Sequence, residues 1–399
     1  MAHGHAEIKN PGSWKIQSST TSLLIGAAVI GLLGLAIGIY MDSVRGWTSF
    51  LLNHFFFMSL ALGGLFICAI QYLTSAMWSA PIRRLSESFS AYLPMVLVGF
   101  VLIAAFGVPH LFKWAHPEVV KGDLILEHKA SYLNVTFFII RNLFVIALWF
   151  FLGKKLVGNS VAQDANGDIK FTNRNKVLSP IFVALFALSF TMASVDLLMS
   201  LDPHWFSTMF GVYTFAGLFT SALAMTTIFA IILRRNGMLK DIVNDNHLHD
   251  LGKFMFAFTV FWAYIGFSQF MLIWYANLPE ETMYFMHRFE GNWKFASVFL
   301  FFAKFLVPFF ALLPRAAKRS ESRLMKVAIW MLFAHWVDLI WVIQPEFFKE
   351  GPRVGLTEIS GLVGFAGIFG LLVTRFLSKN NIVAIGDPKL EESVFHHHQ

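Results

Sequence analysis

The chain almost lacks cysteine: Cys68 is the one cysteine among 399 residues. A single thiol cannot make an intramolecular disulfide, a CxxCH haem attachment or a cysteine-ligated iron–sulfur cluster. A bis-histidine b-haem needs facing histidine pairs on apolar segments, and those segments carry just His54, His110 and His335. No haem or iron–sulfur cluster is therefore expected on this chain, and the metal of any redox chemistry would belong to another subunit. Charge is scarce as well. Asp, Glu, Lys and Arg make up 14% of the residues, where a soluble domain carries about 25%. No secretory signal is expected either, since MAHGHAEIKNPGSW is polar and the first apolar run has no small-residue cleavage site.

Apolar sequence is what the chain has in abundance, at 56% of residues with 45 Phe. A helix that crosses a membrane takes roughly 20 mostly apolar residues. Ten stretches qualify: 22–40, 48–73, 92–112, 133–152, 178–200, 211–233, 254–276, 295–314, 325–345 and 355–377. Their length and the absence of period-two alternation predict an all-α membrane protein rather than a transmembrane barrel. With both termini on one side, that side collects 19 of the 31 Lys and Arg and the opposite side 8, while Arg141, Lys304, Lys326 and Arg375 fall within spans. Such an excess marks the cytoplasmic face. Both termini are thus expected in the cytoplasm, and the net charge of +7 requires no nucleic acid.

The expected organisation is an N-terminal tail over 1–21, one ten-helix domain over 22–377, and a C-terminal tail over 378–399. Spans 2–5 and 6–9 form two four-helix bundles, with spans 1 and 10 flanking them. Loop 153–177 reads as polar and cytoplasmic, with a turn at DANGD. The terminal FHHHQ reads as a disordered tail rather than a weak metal site, and no metal site is expected elsewhere. Glycines in GLLGLAIG and GLVGFAGIFG allow close helix packing, either with partner subunits or within the chain.

The polar residues at membrane depth are the functional candidates, because ionisable groups there are costly. In SVDLLMSLDPHW (194–205), Asp196 lies about four residues, roughly 6 Å, inside the outer end of span 5. Arg141 is the obvious partner for it. His54 opens span 2, His110 ends span 3, and Asn134 shares a face of span 4 with Arg141. Together these five could converge beneath the outer surface as a quinone-head-group site: two hydrogen-bonding partners, apolar walls and a histidine near neutral pH. The alternative is an Arg–Asp pair with helix-end histidines that lock the bundle. Asp202 and His204 fall in the outer loop, either as a solvated turn with Asp202 capping span 6 or as a contact for a partner. A second set lies deeper. Tyr264, Ser268 and Gln269 on span 7, Lys304 on span 8, and His335 and Asp338 on span 9 have the residue types of a proton path. The alternative there is a buried Lys304–Asp338 bridge without a transport role.

Several strings are distinctive together: SVDLLMSLDPHWFSTMFGVYTFAG (194–217), DLGKFMFAFTVFWAYIGFSQFMLIWYANLPEET (250–282), QYLTSAMWSAPIRRLSE (71–87) and HWVDLIWVIQPEF (335–347). They resemble the polysulfide-reductase-type (NrfD-like) membrane subunits of bacterial alternative complex III over nearly the whole chain. HFFFMSLALGGLF (54–66) and the chain length look most like the smaller of the two paralogues. That resemblance implies a subunit of a quinol:cytochrome c oxidoreductase, with menaquinone as the expected quinone. The partners it implies are a paralogous NrfD-like membrane subunit, an iron–sulfur subunit, haem c subunits and lipids. It places the quinol site in the first bundle and a proton path in the second. Two other readings remain: a proton-coupled secondary transporter, and a scaffold subunit with no site of its own.

Overall fold

The computed structural model describes residues 9–395, so the first eight residues and the final HHHQ lie outside the described residues. Among the described residues, ten helices are long and apolar enough to cross a membrane. They are span 1 (Ser18–Met41), span 2 (Ser43–Leu73), span 3 (Arg83–Leu111), span 4 (Val135–Gln163) and span 5 (Ile169–Leu201). Then come span 6 (Phe210–Arg235), span 7 (Asp245–Ala276), span 8 (Trp293–Leu312), span 9 (Glu321–Glu346) and span 10 (Leu356–Lys379). Side-chain caps set several starts. Asp42 accepts from Arg45 N, Asn134 from Phe137 N, Asp168 from Lys170 N, and Asn244 from the N–H groups of Asn246 and His247.

Hydropathy underestimates the helices on the side of the termini. The segment expected as loop 153–177 is mostly helix, because spans 4 and 5 run on as polar helical ends until the turn after Gln163. Gly167, at φ +65°, supplies the left-handed residue of that turn. The chain after span 10 packs back onto the same side: Ile382 and Val383 are buried, and Asp387 pairs with the buried Arg83.

Helix contacts divide the molecule into the two expected bundles. Span 2 packs on spans 3 and 5, and span 4 on span 5; span 6 packs on spans 7 and 9, and span 8 on span 9. Spans 2 and 6 are the most enclosed helices and pack on each other along the centre. Each also touches the last helix of the other bundle: span 2 meets span 9, and span 6 meets span 5. The two halves are therefore arranged alike about the 2–6 contact.

Spans 1 and 10 form a closely packed pair beside span 2, with Gly31, Gly364 and Gly367 at the contact between them. A Cβ on Gly31 would sit 2.2 Å from Gly364 N. Arg45 of span 2 ties this pair down through two hydrogen bonds to the buried Glu358, 2.9 and 2.8 Å long.

Two spans contain one wide, π-helical turn, at Ile103–Gly107 in span 3 and Phe302–Leu306 in span 8. Each precedes a proline that has no N–H for the carbonyl four residues back: Pro109 for Ala105, and Pro308 for Lys304. The backbone loosens there without breaking.

Replacing Gly31 with Leu is expected to cost about 1–3 kcal/mol or more, because the backbones must separate. Thermal unfolding in detergent would show the loss, and an unchanged midpoint would show that spans 1 and 10 do not pack this closely.

Candidate functional site: two charge clusters and an apolar cavity

The first cluster joins spans 4 and 5. Arg141 grips Asp196 with a two-pronged pair: Nε to Oδ2 at 2.8 Å and Nη2 to Oδ1 at 2.8 Å. Asp196 is fully buried, and its oxygens also accept from Asn142 Nδ2 at 2.9 Å and Tyr132 OH at 3.1 Å. The Arg141 guanidinium lies 3.8 Å from the Tyr132 ring centroid and 4.4 Å from that of Phe137. The expected Arg–Asp pair is present, and its hydrogen-bonding capacity is used within the chain.

The other residues expected in that site do not join it. Asn134 is the N-cap of span 4, accepting from Phe137 N and donating to the carbonyls of Ala130 and Ser131. His110 is exposed. His54 does not open span 2 but lies eleven residues inside it, fully buried, with Gly99 of span 3 against its ring and neither ring nitrogen hydrogen-bonded. The helix starts earlier than hydropathy suggests because Asp42 caps it before the apolar run begins.

The second cluster joins spans 6, 8 and 9. Lys304, on the wide turn of span 8, pairs with Asp338 Oδ2 and lies 3.3 Å from His335 Nδ1. Tyr213 OH donates to Asp338 Oδ1. All four residues are buried. Gly217 leaves the room they occupy, since a Cβ there would meet His335 Cε1 at 2.7 Å and Lys304 Nζ at 3.3 Å. A hydroxyl, a carboxylate, an ammonium and an imidazole thus lie in one connected chain, and His335 Nε2 at its end has no partner. Such a chain can pass a proton by small rotations. Of the span 7 residues expected here, Tyr264 is 65% exposed on the outer surface and Ser268 is half-buried outside the cluster.

Gln269 is buried and lines a cavity of about 220 Å³ adjoining the cluster. Tyr213 and Trp262 form the wall between them, with Lys304 Nζ 4.7 Å from the Trp262 ring centroid. The cavity lies between spans 7 and 8 in the half of the molecule away from the termini, where the short helix Pro279–Phe289 contributes Tyr284, Phe285 and Phe289 to its lining.

The outer loop is clamped within the chain. His204 Nε2 lies 2.7 Å from Asp123 Oδ2, and Lys129 Nζ donates to Pro203 O at 2.7 Å. Asp202 caps nothing, as span 6 begins at Phe210 without a side-chain cap. The helix of span 5 ends at Leu197 and continues as a 3₁₀ turn over Met199–Leu201, so Pro203 follows an end already made. The hydrogen bond with His204, helped by the N–H groups of Leu126 and Ile125, holds the Asp123 carboxyl below its ordinary range.

Tyr132, Asn142, Tyr213 and Trp262 were not legible as cluster members. The signal for Asn142 was its place beside Arg141; aromatic residues are too common in this chain to single out the other three. Among the described residues, no three of His, Cys, Asp and Glu converge as metal ligands would. In comparisons with known proteins, no family model and no curated sequence matches the chain.

Two outcomes follow. Arg141→Ala leaves Asp196 buried and unpaired, which should cost about 3–5 kcal/mol, whereas the double change Arg141→Met with Asp196→Leu should recover much of that loss; thermal stability of the three proteins decides. A depressed Asp123 pKa adds stability that is present above the ordinary aspartate value and fades as pH falls through the lowered one. Hydrogen exchange of residues 123–129, corrected for intrinsic rates, should match at pH 5 and 4.5 and rise below about 3.9.

Proposed function

We propose that the chain is a membrane subunit of a quinol:cytochrome c oxidoreductase of the alternative complex III kind, and that its part is to carry protons through the second bundle. The observation that carries this reading is the connected, buried series Tyr213–Asp338–Lys304–His335. A bridge kept for stability alone would be poorly chosen, since apolar residues of similar volume commonly serve as well or better. The Arg141–Asp196 cluster, with its capacity used, acts as a bundle lock. On this reading the electron carriers reside on an iron–sulfur subunit and haem c subunits, beside a paralogous membrane subunit and lipids.

A secondary transporter would favour unwound helices at a midplane site. Spans 3 and 8 instead stay helical through their wide turns, which supports the complex-subunit reading. The Lys and Arg excess supports a reading in which the termini are cytoplasmic and the cavity lies in the outer half of a bacterial inner membrane.

Two measurements test this. In the purified complex, with subunit content verified, Asp338→Asn and Lys304→Met should lower quinol:cytochrome c turnover or proton release by about a hundredfold or more, the low end for loss of a positioned proton-transfer group. Full turnover with unchanged proton release per quinol would remove the proton role. Ala165→Cys should react with a membrane-impermeant maleimide from the cytoplasmic side and Glu280→Cys from the other, against a buried Cys68 background; the reverse pattern would invert the topology.

A further inference from the structure

Spans 1 and 10 close on each other through their glycines, but a groove of about 710 Å³ remains along one side of the pair, near the termini. Ligand-binding clefts commonly measure about 300–1,000 Å³. Ile25, Ile368, Leu371 and Leu372 give the groove apolar walls, and Ile25 is half exposed, so it lies open to the bilayer. From Ser378 to Ile368 it follows span 10 for about 15 Å at the rise of an α-helix. That is half of a hydrocarbon core roughly 30 Å thick, the depth of one leaflet.

Two cations, Lys15 and Arg375, line the end of the groove nearest the termini. Their two segments are held together by the backbone: Trp14 N donates to Leu377 O at 2.9 Å, and Ile382 N donates to Gly12 O at 2.9 Å. The Trp14 ring meets Phe229 edge-on, with 6.3 Å between centroids, which fixes the residue before Lys15 against span 6.

Among the described residues neither cation has an ion-pair partner, and no Asp or Glu lines the groove. The hydroxyls of Thr21, Thr374 and Ser378 are each spent on a backbone carbonyl. At the other end of span 10 the arrangement is different, because Arg45 there finds Glu358 inside the chain. Arg375 lies one turn inside the end of its helix and is exposed. An unpaired cation facing lipid at that depth draws its counter-charge from outside the chain.

We infer that this groove holds an anionic phospholipid of the leaflet on the side of the termini, with its phosphate between Lys15 and Arg375 and one acyl chain laid along Ile368, Leu371 and Ile25. Arginine matches a phosphate with parallel N–H donors, and lysine adds a point charge. A zwitterionic head group would bring an ammonium against two cations, so the site prefers lipids of the phosphatidylglycerol type. The inference needs only that the chain spans a membrane, so it and the proton role of Asp338 can fail separately.

The test is photolabelling of the full-length chain, delipidated in neutral detergent, by phosphatidylglycerol that carries a diazirine in one acyl chain. Saturable labelling of peptides within 16–25 and 368–378 is expected. Unlabelled phosphatidylglycerol should displace it, while phosphatidylcholine with the same chains and inorganic phosphate should not. Arg375→Gln and Lys15→Gln should each raise the half-saturating concentration about fivefold, the worth of one basic residue beside an anionic head group. Both side chains are exposed, so both variants should fold, and their thermal midpoints verify this. Ile368→Trp should abolish labelling by filling the groove. Lys155→Gln changes an exposed cation on the same side but outside the groove, and should leave labelling unchanged. Equal displacement by phosphatidylcholine overturns the inference. So does a loss in Lys155→Gln as large as in Arg375→Gln, which would mark a general attraction to basic surface. Displacement by inorganic phosphate would make this a site for a free anion and overturn the lipid. Peptides that label in detergent but are protected in unextracted membranes would show a helix of another protein in the groove, which overturns it equally.

Discussion

Charge buried in a lipid-facing helix bundle must find its counter-charge inside the protein, and this constraint organises the molecule. Spans 5 and 9 each carry an aspartate, and in each case the cation comes from the span just before it: Arg141 on span 4 for Asp196, Lys304 on span 8 for Asp338. These are the third and fourth helices of their bundles. A tyrosine hydroxyl adds a bond to each carboxylate, from Tyr132 in one bundle and Tyr213 in the other. Two halves related by the 2–6 contact thus hold one device twice. They differ in finish. Arginine in the first has a fork that saturates both carboxylate oxygens; lysine in the second is a point donor that leaves a histidine within reach.

The ten spans were readable because hydropathy over about 20 residues reports burial in hydrocarbon directly. The Arg141–Asp196 and Lys304–Asp338 pairs were readable for the same reason: a charge in an apolar run has few places to go. What hydropathy could not report was helix that continues into polar sequence, as in spans 4 and 5 past residue 152 and before residue 178. The start of span 2 at Ser43, capped by Asp42, is a further case, and it shifts His54 from a helix mouth to an interior position. Side-chain direction was the other blind spot. Tyr264 and Gln269 are five residues apart on one helix, yet one faces outward and the other lines a cavity. A periodicity argument needs a known inward face, and an almost uniformly apolar helix does not declare one.

The cavity was illegible for a related reason. It exists because spans 7 and 8 splay apart beneath the amphipathic segment Pro279–Phe289, and helix splay is set by contacts remote in sequence. Gln269 and Trp262, which line it, look in sequence like ordinary polar and aromatic positions of span 7.

The segment after span 10 has a bearing on how the protein is made. Asp387 neutralises the buried Arg83, Lys389 hydrogen-bonds to Ser75 O, and the Gly386 backbone lies against Gln163. These partners are translated about 220 to 310 residues earlier. Glu87, four residues on, pairs with Arg83 from the start; at a synthesis rate of about 5–20 residues per second, its second carboxylate, Asp387, follows on the order of tens of seconds later. The first bundle can therefore enter the membrane early, but its face on the side of the termini is completed by residues made after span 10. Folding of the first bundle is thus finished only after the tenth span has been made, as a knot is drawn tight by a late pass.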